Sequence, residues 1–395
     1  MEGHPLGSSA RLLTRSALII FLVTIVIGIL NGLDVWDPGR EMLLTHVHAG
    51  TLGWITVSVV AVALLMFGAD ADEDTARGAR NLAVGVVVAV GLYVIAFATT
   101  QGIFRPIGGT LMLAAIVWVF IWVLRRRASA PRTIPHLAIV LALTSLVIGA
   151  VLGVVLGLFI ANGEVPGLSA ELAGGTGAAH PAAMLTGYLV LAGIGIAEWR
   201  LTDEHGSSKL GLAIVWALFA AGLAFNAAFL FGIDALVQAA SALQVLAIIG
   251  FVVRMRSHIA PSAWRGAGTG VYARLATVYL VAGVGLLVYV VQLFVSGQIS
   301  PETGEGPVGV LTGFDHVMFI GVMTSALFSV LTMDRAWDAS LRWMTVALNV
   351  GLVGFVLGLV LDVQVMKQIF SPIMGLALLW AIAMFLRPPV STPSA

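Results

Sequence analysis

The chain has 395 residues, 59% of them hydrophobic and only 10% charged, with twenty basic residues against twenty acidic and no cysteine. Soluble domains carry about 25% charged residues, so this balance excludes a water-soluble enzyme, a disordered chain and a basic nucleic-acid binder. Without cysteine there can be no disulfide, thiolate zinc site, iron–sulfur cluster or covalently attached heme, which leaves an all-α polytopic protein whose main partner is a lipid bilayer.

A membrane-crossing helix needs about 20 mainly apolar residues. Twelve stretches qualify, at roughly 11–33, 42–67, 80–100, 104–124, 134–161, 178–197, 208–232, 235–253, 275–296, 308–333, 343–361 and 368–386. The first follows Arg11 and Arg15 but lacks a small-residue cleavage site, so it reads as a helix and not as a leader. The joining segments are short, and the chain reads as a single integral membrane domain. The N-terminus and every second loop after it hold seventeen of the twenty basic residues; the opposite side holds only Arg40, Arg105 and Lys367. The positive-inside rule then predicts a multi-pass protein of the cell (cytoplasmic or inner) membrane with both termini in the cytoplasm. The outer loops carry Asp34, Asp37, Glu41, Glu164, Glu171, Asp234, Glu302, Glu305 and Asp362. Such an acidic face suits a basic partner.

The histidines carry the chemistry. His46 and His48 lie in span two, His180 in span six and His316 in span ten, whereas His4, His205 and His258 fall in cytoplasmic segments and His136 at the interface. From His46 to His180 is 134 positions and from His180 to His316 is 136. The blocks HVHAGTLGW, HPAAMLTGY and FDHVMFIGV superpose on Gly53, Gly187 and Gly321. Three pseudo-repeats of four helices follow, about 11–127, 134–256 and 274–387. All three spans run inward from the outer face, so the four imidazoles share one depth. Polar groups at such a level face the bundle interior, and neutral imidazole is a ligand for iron, copper and zinc. His46 and His48 stand two residues apart, about 200° around a helix. One helix thereby serves two sites on opposite faces.

The string HVHAGTLGW resembles the His-x-His heme-ligand motif of heme-copper oxidase subunit I, especially the C-type oxidase and nitric oxide reductase branch. HPAAMLTGYLVLAGIGIAEW is similar to that family's sixth helix, whose histidine binds copper. The family's architecture is also twelve helices with threefold pseudo-symmetry. The resemblance implies one or two non-covalent b-type hemes held by His46, His48 and His316, with His180 at the copper position. It further implies electron transport or O2/NO binding near the outer face, a respiratory-chain role, and a basic electron-donor protein as partner. The sequence departs from the family in placing the pair on span two and the single histidine on span ten. Span seven has no histidine or tyrosine. A three-histidine copper site therefore cannot be completed, copper is doubtful, and oxidase or reductase turnover is an open expectation. Asp315 beside His316 is a candidate proton carrier or imidazole partner. Gly149, Gly153 and Gly157 read as helix-packing positions. Trp54 and Tyr188 read as aromatic core, and Gln238, Gln244, Gln292 and Asn349 as makers of interhelical hydrogen bonds. Competing readings are a secondary transporter and a heme-free metal-binding assembly protein of the respiratory membrane.

Overall fold

The computed structural model describes residues 3–100, 102–202, 208–298 and 307–387. His205, Glu302 and Glu305 lie outside these. Every expected span is a helix: α1 Gly7–Gly32, α2 Arg40–Phe67, α3 Glu73–Thr99, α4 Phe104–Arg126, α5 Ile134–Asn162, α6 Ala170–Leu201, α7 Lys209–Phe231, α8 Asp234–Ile259, α9 Gly268–Val295, α10 Val308–Leu331, α11 Ala339–Val360 and α12 Gln364–Leu386. No strand occurs among the described residues. The chain is a multi-pass, all-α membrane bundle, in which each continuous helix satisfies its own backbone polar groups in hydrocarbon.

The helices divide into an inner and an outer set. α2, α6 and α10 have 94%, 89% and 78% of their apolar window buried inside the protein, whereas the other nine have 33–44%. The three histidine-bearing helices are therefore the central ones. α6 and α10 also have the lowest mean hydropathies of the twelve, 1.5 and 1.6. A helix sheathed by protein faces little lipid and tolerates small and polar residues.

Details recur with the period of the histidine blocks. Each inner helix turns from α to π geometry just after its histidine level, over Ala49–Thr56, Ala183–Leu189 and Val317–Thr324. π segments are rare and cluster at functional sites. The third helix of each four-helix unit is N-capped by a side chain on the backbone N–H three residues on: Asp72 to Thr75, Ser208 to Gly211 and Asp338 to Leu341. The first helices end near left-handed residues Asp34, Gly163 and Gly297, and the third near Gly102, Gly232 and Asp362. Asp34 and Asp362, at φ 60° and 51°, hold a conformation that Asp adopts more readily than most non-glycine residues. The last helix of each unit packs on the first of the next, α4 on α5 and α8 on α9, and α12 closes the ring on α1.

Two buried side-chain bonds tie the inner helices together. Trp54 Nε1–H donates to Thr324 Oγ1 at 2.9 Å, and Tyr188 O–H donates to Thr56 Oγ1 at 3.2 Å. In each case the residue after the aligned glycine reaches a threonine of the neighbouring inner helix. At the third such position stands Val322, buried and apolar. Trp54 also stacks on Phe21, with centroids 4.9 Å apart. These aromatics are core residues, as the sequence suggests.

The arginine-rich end is braced by ion pairs that sequence reading passes over. Arg254 of α8 makes a two-pronged bond to Glu198 of α6, at 2.7 and 3.3 Å, and also bonds Ser208 Oγ. Glu198 is 2% exposed. Arg126 of α4 pairs with Asp70 and also donates to the Phe67 carbonyl. Asn349 does make an interhelical bond, accepting from Tyr279 O–H at 2.6 Å. The Gln244 side-chain oxygen, in contrast, is buried without a partner.

Candidate functional site: paired imidazoles around the central helices

Four of the histidines share one hydrogen-bonding habit. His46 Nδ1 bonds the Thr24 carbonyl at 2.9 Å, and His180 Nδ1 bonds the Gly149 carbonyl at 2.8 Å. His48 and His316 reach back along their own helices to the carbonyls of Leu44 and Thr312, each at 2.7 Å. A carbonyl oxygen only accepts, so each Nδ1 carries the proton. The neutral ring then keeps its Nε2 lone pair free. A metal-ligating histidine is usually oriented in this way, by a donor bond from its other ring nitrogen.

Two further histidines show the contrasting pattern. His136 donates from Nε2 to the Met66 carbonyl at 3.0 Å, while its Nδ1 meets Thr133 Oγ1 at 2.7 Å. His4 uses Nε2 on the Leu65 carbonyl at 3.0 Å and accepts the Leu6 N–H on Nδ1 at 3.1 Å. Both rings are consumed by the fold and have no lone pair to offer.

The ring of His46 faces that of His316, with centroids 6.5 Å apart and planes 30° from parallel. A metal–imidazole bond is about 2.0–2.1 Å and the ring centre lies about 1.1 Å behind the ligating nitrogen, so two imidazoles on opposite sides of one metal sit about 6 Å apart, centre to centre. The observed spacing fits a metal between them. It is too wide for a direct hydrogen bond between the rings.

Both rings line a cavity of about 510 Å³ enclosed by α1, α2, α10, α11 and α12. Cofactor sites typically occupy about 300–1,000 Å³. The walls are mostly apolar and aromatic, with Phe21, Trp54, Phe319 and Phe355 among them. Phe355 meets His316 edge-on at 5.0 Å. Polar groups gather toward the arginine-poor end: Asn31, Asp34, Gln364 and Lys367, the one Lys or Arg on the wall among the described residues. Lys367 Nζ also bonds Asp362 at 3.1 Å. Asp315 lines the cavity as well. It does not orient the neighbouring imidazole, because His316 Nδ1 is taken by the Thr312 carbonyl.

His48 looks the other way from its helix. Its ring lies 4.3 Å from Phe97 and 5.5 Å from Tyr93, both on α3. The two-faced reading of the His-x-His pair therefore describes the geometry. The structure adds which face meets which partner: His46 goes with His316, and His48 packs on Tyr93 and Phe97. Among the described residues no group of three or more His, Asp or Glu side chains converges as a metal cage.

Two glycines make the imidazole poses possible: Gly28, which sequence reading passed over, and Gly153, which it took only as a packing position. A Cβ on Gly28 would stand 3.0 Å from His46 Cε1, and one on Gly153 would stand 2.8 Å from His180 Cε1. Each glycine lies four residues after the carbonyl that its histidine bonds, Thr24 or Gly149. Gly153 is thus a seat for a ring as well as a packing position. The pairing of a glycine on each repeat's first helix with a histidine on its second was the available signal.

In comparisons with known proteins, no family model matches the chain and no curated protein matches it.

Proposed function

We propose that the protein is a membrane-embedded hemoprotein that holds a b-type heme between His46 and His316 and serves electron transfer near the outer face of a cell membrane. The observation that carries this reading is the facing pair of imidazoles, 6.5 Å apart on a 510 Å³ apolar cavity, each with Nδ1 already bonded to a carbonyl. His46 and His316 would be the axial ligands. Lys367 would meet the carboxylates of the group at the polar end of the cavity, as a point charge suited to an anion. The aromatic wall excludes water from the ring. Such a group, when bound, supplies one-electron redox chemistry.

The chain's own residues favour electron transfer over gas binding. His46 and His316 would hold the group from both sides and would leave neither side open to a gas. The acidic residues at the arginine-poor end, among them Asp34, Asp37 and Glu41, offer a docking field for a basic electron-donor protein. The positive-inside partition supports placing that end outside and both termini in the cytoplasm.

The test is the absorption and low-temperature EPR spectrum of the purified protein. A Soret band with a low-spin bis-imidazole signal is expected, and His46→Ala or His316→Ala removes that signal. A colourless protein that takes up no added hemin refutes the reading.

A further inference from the structure

The two facing imidazoles are held in different ways. His316 Nδ1 bonds the Thr312 carbonyl of its own helix at 2.7 Å, so its ring moves with α10. His46 Nδ1 bonds the Thr24 carbonyl of α1 at 2.9 Å. The pose of His46 therefore depends on how α1 sits against α2.

A second bond fixes that seating. The Thr24 hydroxyl donates to the His46 carbonyl at 3.1 Å. Side chain thus bonds backbone in both directions between the same two residues. A single hydrogen bond is a hinge about which a ring can swing. Two opposed bonds fix the rotation of the ring and the register of the two helices together. Thr24 is buried and lines the cavity, as does Gly50. A Cβ on Gly50 would stand 3.2 Å from the Thr24 methyl carbon, so the missing side chain lets Thr24 lie close against α2.

α1 is also held from its other side. The buried Ser371 of α12 donates from Oγ to the Gly28 carbonyl at 3.2 Å. Gly28 is the residue packed on the His46 ring, and a Cβ on Gly32, one turn further, would collide with Ser371. Two hydroxyls, one on α1 and one on α12, therefore bracket the stretch of α1 that carries His46.

His180 supplies an internal comparison. Its Nδ1 also bonds a carbonyl on the first helix of its unit, at 2.8 Å, but the residue there is Gly149, which has no hydroxyl to return the bond. The reciprocal clasp is thus no requirement of the repeat. It is an addition at the histidine whose ring faces a second imidazole across the cavity, with planes 30° from parallel.

We infer that Thr24 is a positioning residue for His46: its hydroxyl sets the imidazole plane against that of His316, while Ser371 steadies α1 behind it. This rests on the proposed heme between the two rings and adds what fixes the relative orientation of its ligands. That orientation is readable, because the iron d-orbital splitting of a low-spin bis-imidazole heme follows the angle between the ring planes. Near-parallel rings give a rhombic EPR signal. Rings turned toward perpendicular give one strongly anisotropic feature.

The experiment compares hemin-loaded full-length chains in detergent by low-temperature EPR and by hemin affinity. The wild type is expected to show the rhombic signal. Thr24→Val removes the hydroxyl with little change of shape. It is expected to turn the signal toward the anisotropic form and to weaken hemin binding about tenfold, as for loss of an outer partner of a ligating histidine. Thr24→Ala, which cannot crowd Gly50, is expected to do the same, and Ser371→Ala to move the signal in the same direction. Thr24→Ser keeps the donor and is expected to restore both readouts. One hydroxyl bond between membrane helices contributes little to stability, so these variants retain the fold. Thr144→Val removes a hydroxyl bonded to the Val140 carbonyl of its own helix and is expected to change neither readout. Wild-type signal and affinity in both Thr24→Val and Thr24→Ala, or no recovery in Thr24→Ser, overturns the positioning role and leaves the heme reading standing. A wild type without heme overturns both.

Discussion

Gly28→Ala tests whether α1 holds the His46 ring in a ligating pose. The added methyl would stand 3.0 Å from His46 Cε1 and 3.6 Å from Nδ1. Carbon atoms rest at about 3.5–4.0 Å from one another, so the ring must retreat by about half an ångström or more. The Nδ1–H bond to the Thr24 carbonyl is 2.9 Å long. A displacement of that size carries it toward about 3.5 Å, where such bonds fail. The bond contributes about 0.5–1.5 kcal/mol net to stability, so the apoprotein still folds. Losing the partner that orients a metal-binding histidine, however, weakens ligation about 10–100-fold. Hemin titration of apoprotein, followed at the Soret band, measures the effect. Gly91→Ala is the control, since a methyl there meets nothing within 4 Å. Wild-type hemin affinity in Gly28→Ala, or an equal loss in Gly91→Ala, refutes the reasoning.

Three other outcomes are expected. Carbon monoxide leaves the reduced wild-type spectrum unshifted, because both axial positions are filled, and shifts it in His316→Ala; a CO-sensitive wild type argues for an open coordination site. Glu198→Ala strands the Arg254 guanidinium, whose side chain is 17% exposed, and lowers unfolding stability by about 3–5 kcal/mol. The double change Glu198→Met with Arg254→Met recovers most of that in the same thermal assay. Trp54→Phe removes the bond to Thr324 that links α2 to α10 and costs about 1–3 kcal/mol by leaving a buried hydroxyl short of one partner, read as a lower melting temperature with the heme spectrum retained.

Much of the architecture was legible in the chain. The twelve spans follow from runs of apolar residues, because a helix in hydrocarbon must bring its own apolar surface. The 134- and 136-residue intervals put each histidine block at the same place in its inner helix, just before the π segment. The opposite facing of His46 and His48 follows from helix geometry alone. Less was legible at the sites. Glu198 looks like an ordinary charge at a span end, and only its 2.7 Å contact with Arg254 reveals a buried brace. Asp315 reads as a proton carrier or an imidazole partner, yet a backbone carbonyl takes the Nδ1 of the adjacent His316.

The sequence determined that this is a twelve-span bundle with four histidines on three of its spans and a chemistry without thiolates. The tertiary structure decided which imidazoles meet. That choice depends on which helices become central, and on where α1 and α5 present a carbonyl beside a missing side chain. Carbonyls such as those of Thr24 and Gly149 have no signature in the residue letters, because every residue has one. Ring closure of α12 on α1 brings His316 to His46 across an interval of 270 positions.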